Sequence, residues 1–280
     1  MKKQIFTLIG ALFTIAAFAQ TPATKIVLTK GQKIVVSTTV SIASKSMGVD
    51  ATSNSTNENL LEVKQATDKD YTVSSTLTKL KLSMDAPGAA NSYDSEKKED
   101  QETELGKSLS EKLNKPVDIT IDNTGGTVLK SPKPEAKKDD ENTSPMLSLL
   151  SNIGESGSDE AVVSGAFQLV PKGKKPGDSW SDSTIDKEFK VRRVYTFKSN
   201  ADTGAVVQLN TTVESSGTVE LMGISMEMNT TTETISDIVF DIATGLVKRK
   251  STEANTTGSM QLMGQSVPMT AKATTVSVYK

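Results

Sequence analysis

The chain is 280 residues long, 35% apolar and 24% charged, with a formal net charge of −2 and neither cysteine nor histidine. Without Cys or His it forms no disulfide, lacks the usual ligand sets for zinc, copper(II), haem and iron–sulfur clusters, and assembles no Ser-His or Cys-His nucleophile. The near-neutral charge gives no electrostatic reason to bind nucleic acid or an anionic membrane. Carboxylate pairs, Ser-Lys arrangements and Tyr remain for catalysis, none forms a local signature, and no cofactor is expected.

In chain order, Lys2 and Lys3, an apolar run from Ile5 to Phe18 and Ala17-Phe-Ala19 before Gln20 have the pattern of a cleaved secretory signal peptide over residues 1–19. The run is too short for a membrane span, and no lipid-anchor cysteine follows it. The expected location is periplasmic or secreted, with residues 20–280 forming a single β-rich domain.

Lys33 to Ser44 alternates, with Ile34, Val36, Val40 and Ile42 on one side, as in a half-buried strand. Asp70 to Met84 reads as a second strand, whose apolar parity slips between Tyr71/Val73/Leu77 and Leu80/Leu82/Met84 and so predicts a β-bulge. Val117–Asp122 with Asn123-Thr-Gly-Gly126 reads as a hairpin. Two short helices are expected: Glu104–Leu113, with Leu105, Leu109 and Leu113 in a stripe, and a second opened by Ser144-Pro145, carrying Met146, Leu149, Leu150 and Ile153 and closed by Gly154. Between them, residues 130–143 are charged and Pro-containing and read as a mobile surface loop. Beyond Gly157 come further strands: 167–170, 177–180, 188–198, 205–214, 231–241, 246–255 and a last one ending at Tyr279.

A phrase occurs twice within this last part, Gly217-Thr-Val-Glu-Leu-Met-Gly-Ile-Ser-Met-Glu-Met228 and Gly258-Ser-Met-Gln-Leu-Met-Gly-Gln-Ser-Val-Pro-Met269. Two hairpins explain it, with two-residue turns expected at Gly223-Ile224 and Gly264-Gln265. Val219, Leu221, Met226 and Met228, and then Met260, Leu262, Val267 and Met269, fall on one apolar face. A second echo relates Asp118–Val128 to Asp237–Val247: in each, a strand ending in Asp meets a Gly turn and leaves through Val.

The signal peptide, Asn91-Ser-Tyr-Asp-Ser95, the Leu105/Leu109/Leu113 helix, the Asp-Asn-Thr-Gly-Gly turn, the second Leu-rich helix, Gly177-Asp-Ser-Trp180 and Asp241-Ile-Ala-Thr-Gly-Leu-Val247 together resemble a family of uncharacterised secreted bacterial envelope proteins. The architecture resembles the half-barrel of periplasmic lipoprotein carriers. That resemblance implies a cavity for acyl chains between sheet and helices. The expected fold is mainly β (β-rich α+β): a long curved antiparallel meander sheet, half-barrel-like, with two short helices packed on its apolar face.

The candidate ligand-binding residues are the eight of the repeat face together with Arg193. Met-bearing apolar surfaces adapt to varied apolar ligands, whereas the plainer alternative is packing against the chain's own helices. Soft-metal binding by Met226-Glu-Met228 is a lesser reading, because cross-strand packing already explains both residues. Arg193 shares the parity of Phe189, Val191, Tyr195 and Phe197, so its guanidinium faces the apolar side, to hold a headgroup or to reach water. Glu220 and Glu227 are expected opposite each other, solvated or around a weakly held calcium ion. Trp180 reads as an anchor onto the core. The expected role is non-catalytic: binding or carrying a lipid or other apolar molecule. The alternative is a structural or interaction protein contacting another envelope protein, its core filled.

Overall fold

The computed structural model describes residues 22–46, 48–86, 89–132, 158–186, 189–201, 204–221, 224–262 and 265–280. Twelve strands form one sheet: β1 (Lys33–Ser46), β2 (Val49–Ala66), β3 (Asp70–Ala86), β4 (Ala89–Asp94), β5 (Pro116–Asp122), β6 (Val128–Lys130), β7 (Ser179–Ile185), β8 (Phe189–Ala201), β9 (Gly204–Leu221), β10 (Ile224–Phe240), β11 (Val247–Leu262) and β12 (Gln265–Tyr279). The described helices are short: α1 (Lys98–Gln101), α2 (Glu104–Ser110) and α3 (Asp159–Ser164).

The sheet is an open, curved antiparallel meander in the order β6-β5-β3-β2-β1-β12-β11-β10-β9-β8-β7, with β4 pairing the far half of β3. Except at β4/β5 and β6/β7, consecutive strands are neighbours because short turns return the chain at each end. The two halves meet where β1 pairs β12 from Val36↔Tyr279 to Ser46↔Met269.

The core fills one end of this half-barrel. Ile34, Val36, Leu61, Val63, Tyr71, Val73, Ile119 and Ile121 of the first half pack with Val162 and Val163 of α3. Phe197, Val207, Ile238, Phe240 and Val247 of the second half pack with Val170 and Ile242. Two Asp-Gly turns close that end, and they are built alike. Asp122 and Asp241 each accept from the backbone two and three residues on (2.6–3.0 Å), and Gly126 (φ 71°) and Gly245 (φ 76°) supply the left-handed position. Burial works against ionised Asp122, but hydrogen bonds from Thr124, Thr127 and Gly125 outweigh it and hold its carboxyl below the ordinary range. The segment before β1 laces the turns together, with Ile26 N donating to Asn123 O (2.7 Å) and Val27 N to Thr244 O (2.9 Å). The Asp118/Asp237 echo is thus one turn design used twice at the same end of the sheet.

The bulge expected in Asp70–Met84 is present: Glu58 faces Lys79 and Asn59 faces Leu77, leaving Thr78 extra. Both repeat hairpins turn one residue earlier than expected. Leu221 pairs Ile224 and Leu262 pairs Gln265, so Ile224 and Gln265 belong to strands and not to turns. Pairing therefore moves by two residues, which leaves every side chain on its expected face. Helix α2 ends at Ser110, short of Leu113. The helix expected from Ser144, most of the 130–143 loop and the signal peptide lie outside the described residues. Four elements lacked a sequence expectation: β2, β4, α1 and α3. Helix α3 is nevertheless capped at both ends, by Ser158 Oγ accepting from Ala161 N (3.1 Å) and by Gly165.

Candidate binding face

Beyond the core the strands continue, and their two faces differ. In β1 the residues after Thr38 alternate between exposed and half-buried, with Val40, Ile42, Ser44 and Ser46 on the half-buried side that continues from Ile34 and Val36. The same alternation runs through β12, where Thr275, Ala273, Ala271, Met269 and Val267 are the half-buried set. Register carries this inner face across neighbouring strands: Thr275 faces Val40 and Thr252, and Ala273 faces Ile42 and Ala254. The inner face is therefore graded along the strands, from buried core through a band of Thr, Ser and Ala to the Met-bearing rows. Among the described residues α3 packs at the core end. α2 lies over the β3–β4 edge, where Tyr93 is 2% exposed and its hydroxyl meets Ser110 Oγ (3.5 Å).

The structure places the expected site residues as follows. Met228 pairs Gly217 on one side and Met260 on the other, Met260 pairs Val267, and Met269 pairs Gly258; all four apolar side chains are half-buried. Val219 pairs Met226, Leu221 pairs Ile224 and Leu262 pairs Gln265 in the same parity; for Val219, Leu221, Met226 and Leu262 the register alone is described. The eight residues thus share one face with the core. Glu220 faces Ser225 and Glu227 faces Thr218, so the register does not set these two residues directly opposite each other as expected. Among the described residues no cluster of three or more acidic side chains is arranged to hold a metal ion.

Arg193 pairs Thr211, in the parity of Phe197 and Val207, and so does stand on the inner face. Its Nη1 donates to Asp182 Oδ1 (2.9 Å) on the edge strand β7, with both side chains partly solvated. Two residue pairs further toward the core, Trp180 stacks on Tyr195, with ring centroids 5.3 Å apart and planes 1° from parallel. Trp180 is thus the expected anchor. Burial, followed by the Asp182 carboxylate, raises the Tyr195 hydroxyl to about 12.

One inner-face residue is missing from the sequence reading. Counting by twos from buried Val247 puts Arg249 inside, but the register shifts between Val239 and Phe240, so that Arg249 faces Val239 and Lys250 faces Ile238. The bulge turns Lys250 inward, beside Ser277 of β12. Only the cross-strand register reveals this, because the extra residue breaks no hydrophobic pattern.

The geometry defines a class: an open, half-barrel-like antiparallel sheet, filled at one end and with a long graded inner face. The chain belongs to a family of unknown function (DUF6263), whose model matches residues 68–247. No protein of curated function matches it. Among solved structures it is similar to one described as "Lipid-protein interactions in lipovitellin", at 11% identity and a TM-score of 0.50, covering 90% of this chain and 25% of that one. The chain therefore spans about a quarter of that protein's length, and the likeness is one of fold. A weaker likeness, at 10% identity and a TM-score of 0.31, is to an outer membrane channel from Pseudomonas putida F1, covering 91% of this chain and 97% of that one. No helix among the described residues is long and apolar enough to cross a membrane.

Proposed function

We propose that this chain is an exported, non-catalytic envelope protein that binds or carries a lipid or other apolar molecule along the inner face of its sheet. The observation that carries this reading is the half-buried inner face beyond the core, where Val40, Ile42, Met228, Met260, Val267 and Met269 lie on stretches of strand beyond the end that α3 packs against. Partly exposed apolar surface over so many strands is unfavourable in water unless something occupies it. The similarity of the sheet to one known for lipid–protein interactions supports the same reading, and the signal-peptide pattern of residues 1–19 supports export. The eight repeat-face residues contribute the Met-bearing end of the surface, and Arg193 stands at its side. The test is mass spectrometry of organic extracts from purified protein, followed by titration with oleate and phosphatidylglycerol. Co-purified or added lipid bound at near-stoichiometric ratio is the expected result; an apo protein that takes up neither overturns it.

A second reading, attachment to another envelope protein, is favoured by the edge strand β7. Its residues are exposed from Ser181 to Ile185, Ile185 is 76% exposed, and an open edge accepts a further strand. Crosslinking that captures one specific envelope protein on β7, with no lipid bound, would replace the first reading with this one.

A further inference from the structure

The inner face is almost uncharged. Following the printed register across β1, β2, β3, β7, β8, β9, β10, β11 and β12, the described residues that carry charge on it are Lys250, Arg193 and Asp182. Arg193 and Asp182 neutralise each other at the β7 edge. Lys250 instead stands near the middle, where the two core clusters meet: Ile238 of one is its neighbour on β10, and Ser277, beside Tyr279, is its neighbour on β12. Among the described residues no carboxylate forms an ion pair with it. Burial alone lowers its readiness to hold a proton.

Hydroxyls surround this cation. Ser277 is bonded to Thr38 (3.0 Å) and also to the Tyr279 hydroxyl, whereas Ser236 and Thr252, bonded to each other (2.8 Å), retain one hydroxyl hydrogen to donate elsewhere. An unpaired, partly desolvated ammonium with hydroxyl donors beside it is a site built for negative charge. From there to Met260 the strand runs ten residues, roughly 33 Å at about 3.3 Å per residue, along Thr252, Ala254, Thr256 and Gly258.

We propose that the ligand is an anionic single-chain amphiphile, its acidic headgroup held by Lys250 and the neighbouring hydroxyls at the floor of the inner face and its acyl chain lying along β10–β12 toward the methionines. This rests on the lipid reading above and adds the headgroup charge and its place. A carboxylate and a phosphate share the required chemistry.

The experiment is calorimetric titration of the full chain with oleate, oleyl phosphate and oleyl alcohol, for the wild type, Lys250→Met and Lys250→Arg. Wild type should bind the acids about tenfold or more tightly than the alcohol, Lys250→Met should lose that preference while still binding the alcohol, and Lys250→Arg should keep it. The ratio of oleate to oleyl phosphate identifies the headgroup. Equal binding of acid and alcohol by wild type, or an acid preference that survives in Lys250→Met, overturns the Lys250 site and leaves the lipid reading standing. Binding of none of the three by wild type removes both. If Lys250→Met does not fold, Lys250→Gln takes its place: loss of the acid preference with alcohol binding retained is the expected result, and a preference that persists overturns the site.

Discussion

Tyr279 shows how much one side chain connects in this fold. It is the last residue of β12, it packs against both core clusters, and its hydroxyl donates to the Gly165 carbonyl oxygen (3.0 Å) at the end of α3. Burial raises that hydroxyl to about 12 from an ordinary 10. The folded state therefore favours the neutral phenol, so the stability it contributes is fully present below pH 10 and is lost as pH rises from 10 through about 12. Tyr279→Phe keeps the ring and removes the bond, so it should destabilise by about 1 kcal/mol in urea titrations at pH 7. It should also reduce the alkaline fall in stability over that window. A further part belongs to Tyr195, also raised to about 12, and the fall should shrink again on Tyr195→Phe. Residue chemistry of this kind was not legible beforehand: the chain ends in an alternating strand, and nothing in the pattern says that its Tyr reaches a helix more than a hundred positions earlier.

At the scale of elements, the two copies of the repeated phrase are alike in pairing and unlike in surroundings. Gly217 faces Met228 and Gly258 faces Met269, the same place in each hairpin. A methyl group added at Gly217 meets nothing, whereas one added at Gly258 overlaps the Asn229 carbonyl oxygen and crowds Thr230 of β10. Gly258→Ala should thus destabilise by about 1–3 kcal/mol through overpacking. Gly217→Ala should be neutral or stabilising by up to about 1 kcal/mol, because glycine weakens a strand interior. Thermal melts of the two variants decide it. The repeat was legible as hairpins, and its apolar face was read correctly even with each turn misplaced by one residue, because face depends on parity and a two-residue change of pairing preserves parity. β2 was not legible, since its inner positions Ser53, Ser55 and Asn57 are polar and leave no hydrophobic alternation to count. Lys250 was hidden for a related reason, its parity being set by a bulge on the strand pair and not by its own sequence.

For the whole molecule, the consequential contact is the one between the first and last strands. β1 and β12 join a half that runs out to β6 and β4 with a half that runs out to β7, so every strand of one half reaches the other through this ladder and the core beneath it. In such a central strand each backbone N–H points to one neighbour or the other, and proline removes a bond wherever it is placed. The native Pro268 obeys this constraint: it pairs Ser259 on β11, but β1 ends at Ser46↔Met269, so β12 has a strand on one side only at that position. Thr274→Pro and Thr275→Pro, inside the doubly paired stretch, should each destabilise by about 1–3 kcal/mol for the partner left unsatisfied, with added strain. On the edge strand β7, Ser183 and Thr184 point their N–H groups alternately toward β8 and toward solvent, so one of Ser183→Pro and Thr184→Pro should be tolerated. Denaturant unfolding followed by Trp180 fluorescence and by far-UV circular dichroism separates the cases. If the halves are one cooperative unit, the β12 variants should shift both probes together, because Trp180 lies at the far end of the half that β12 holds. Loss of stability in both β7 variants would overturn the edge prediction, and a Trp180 transition that ignores the β12 substitutions would show instead that the second half is held by its own core cluster and does not depend on the central ladder.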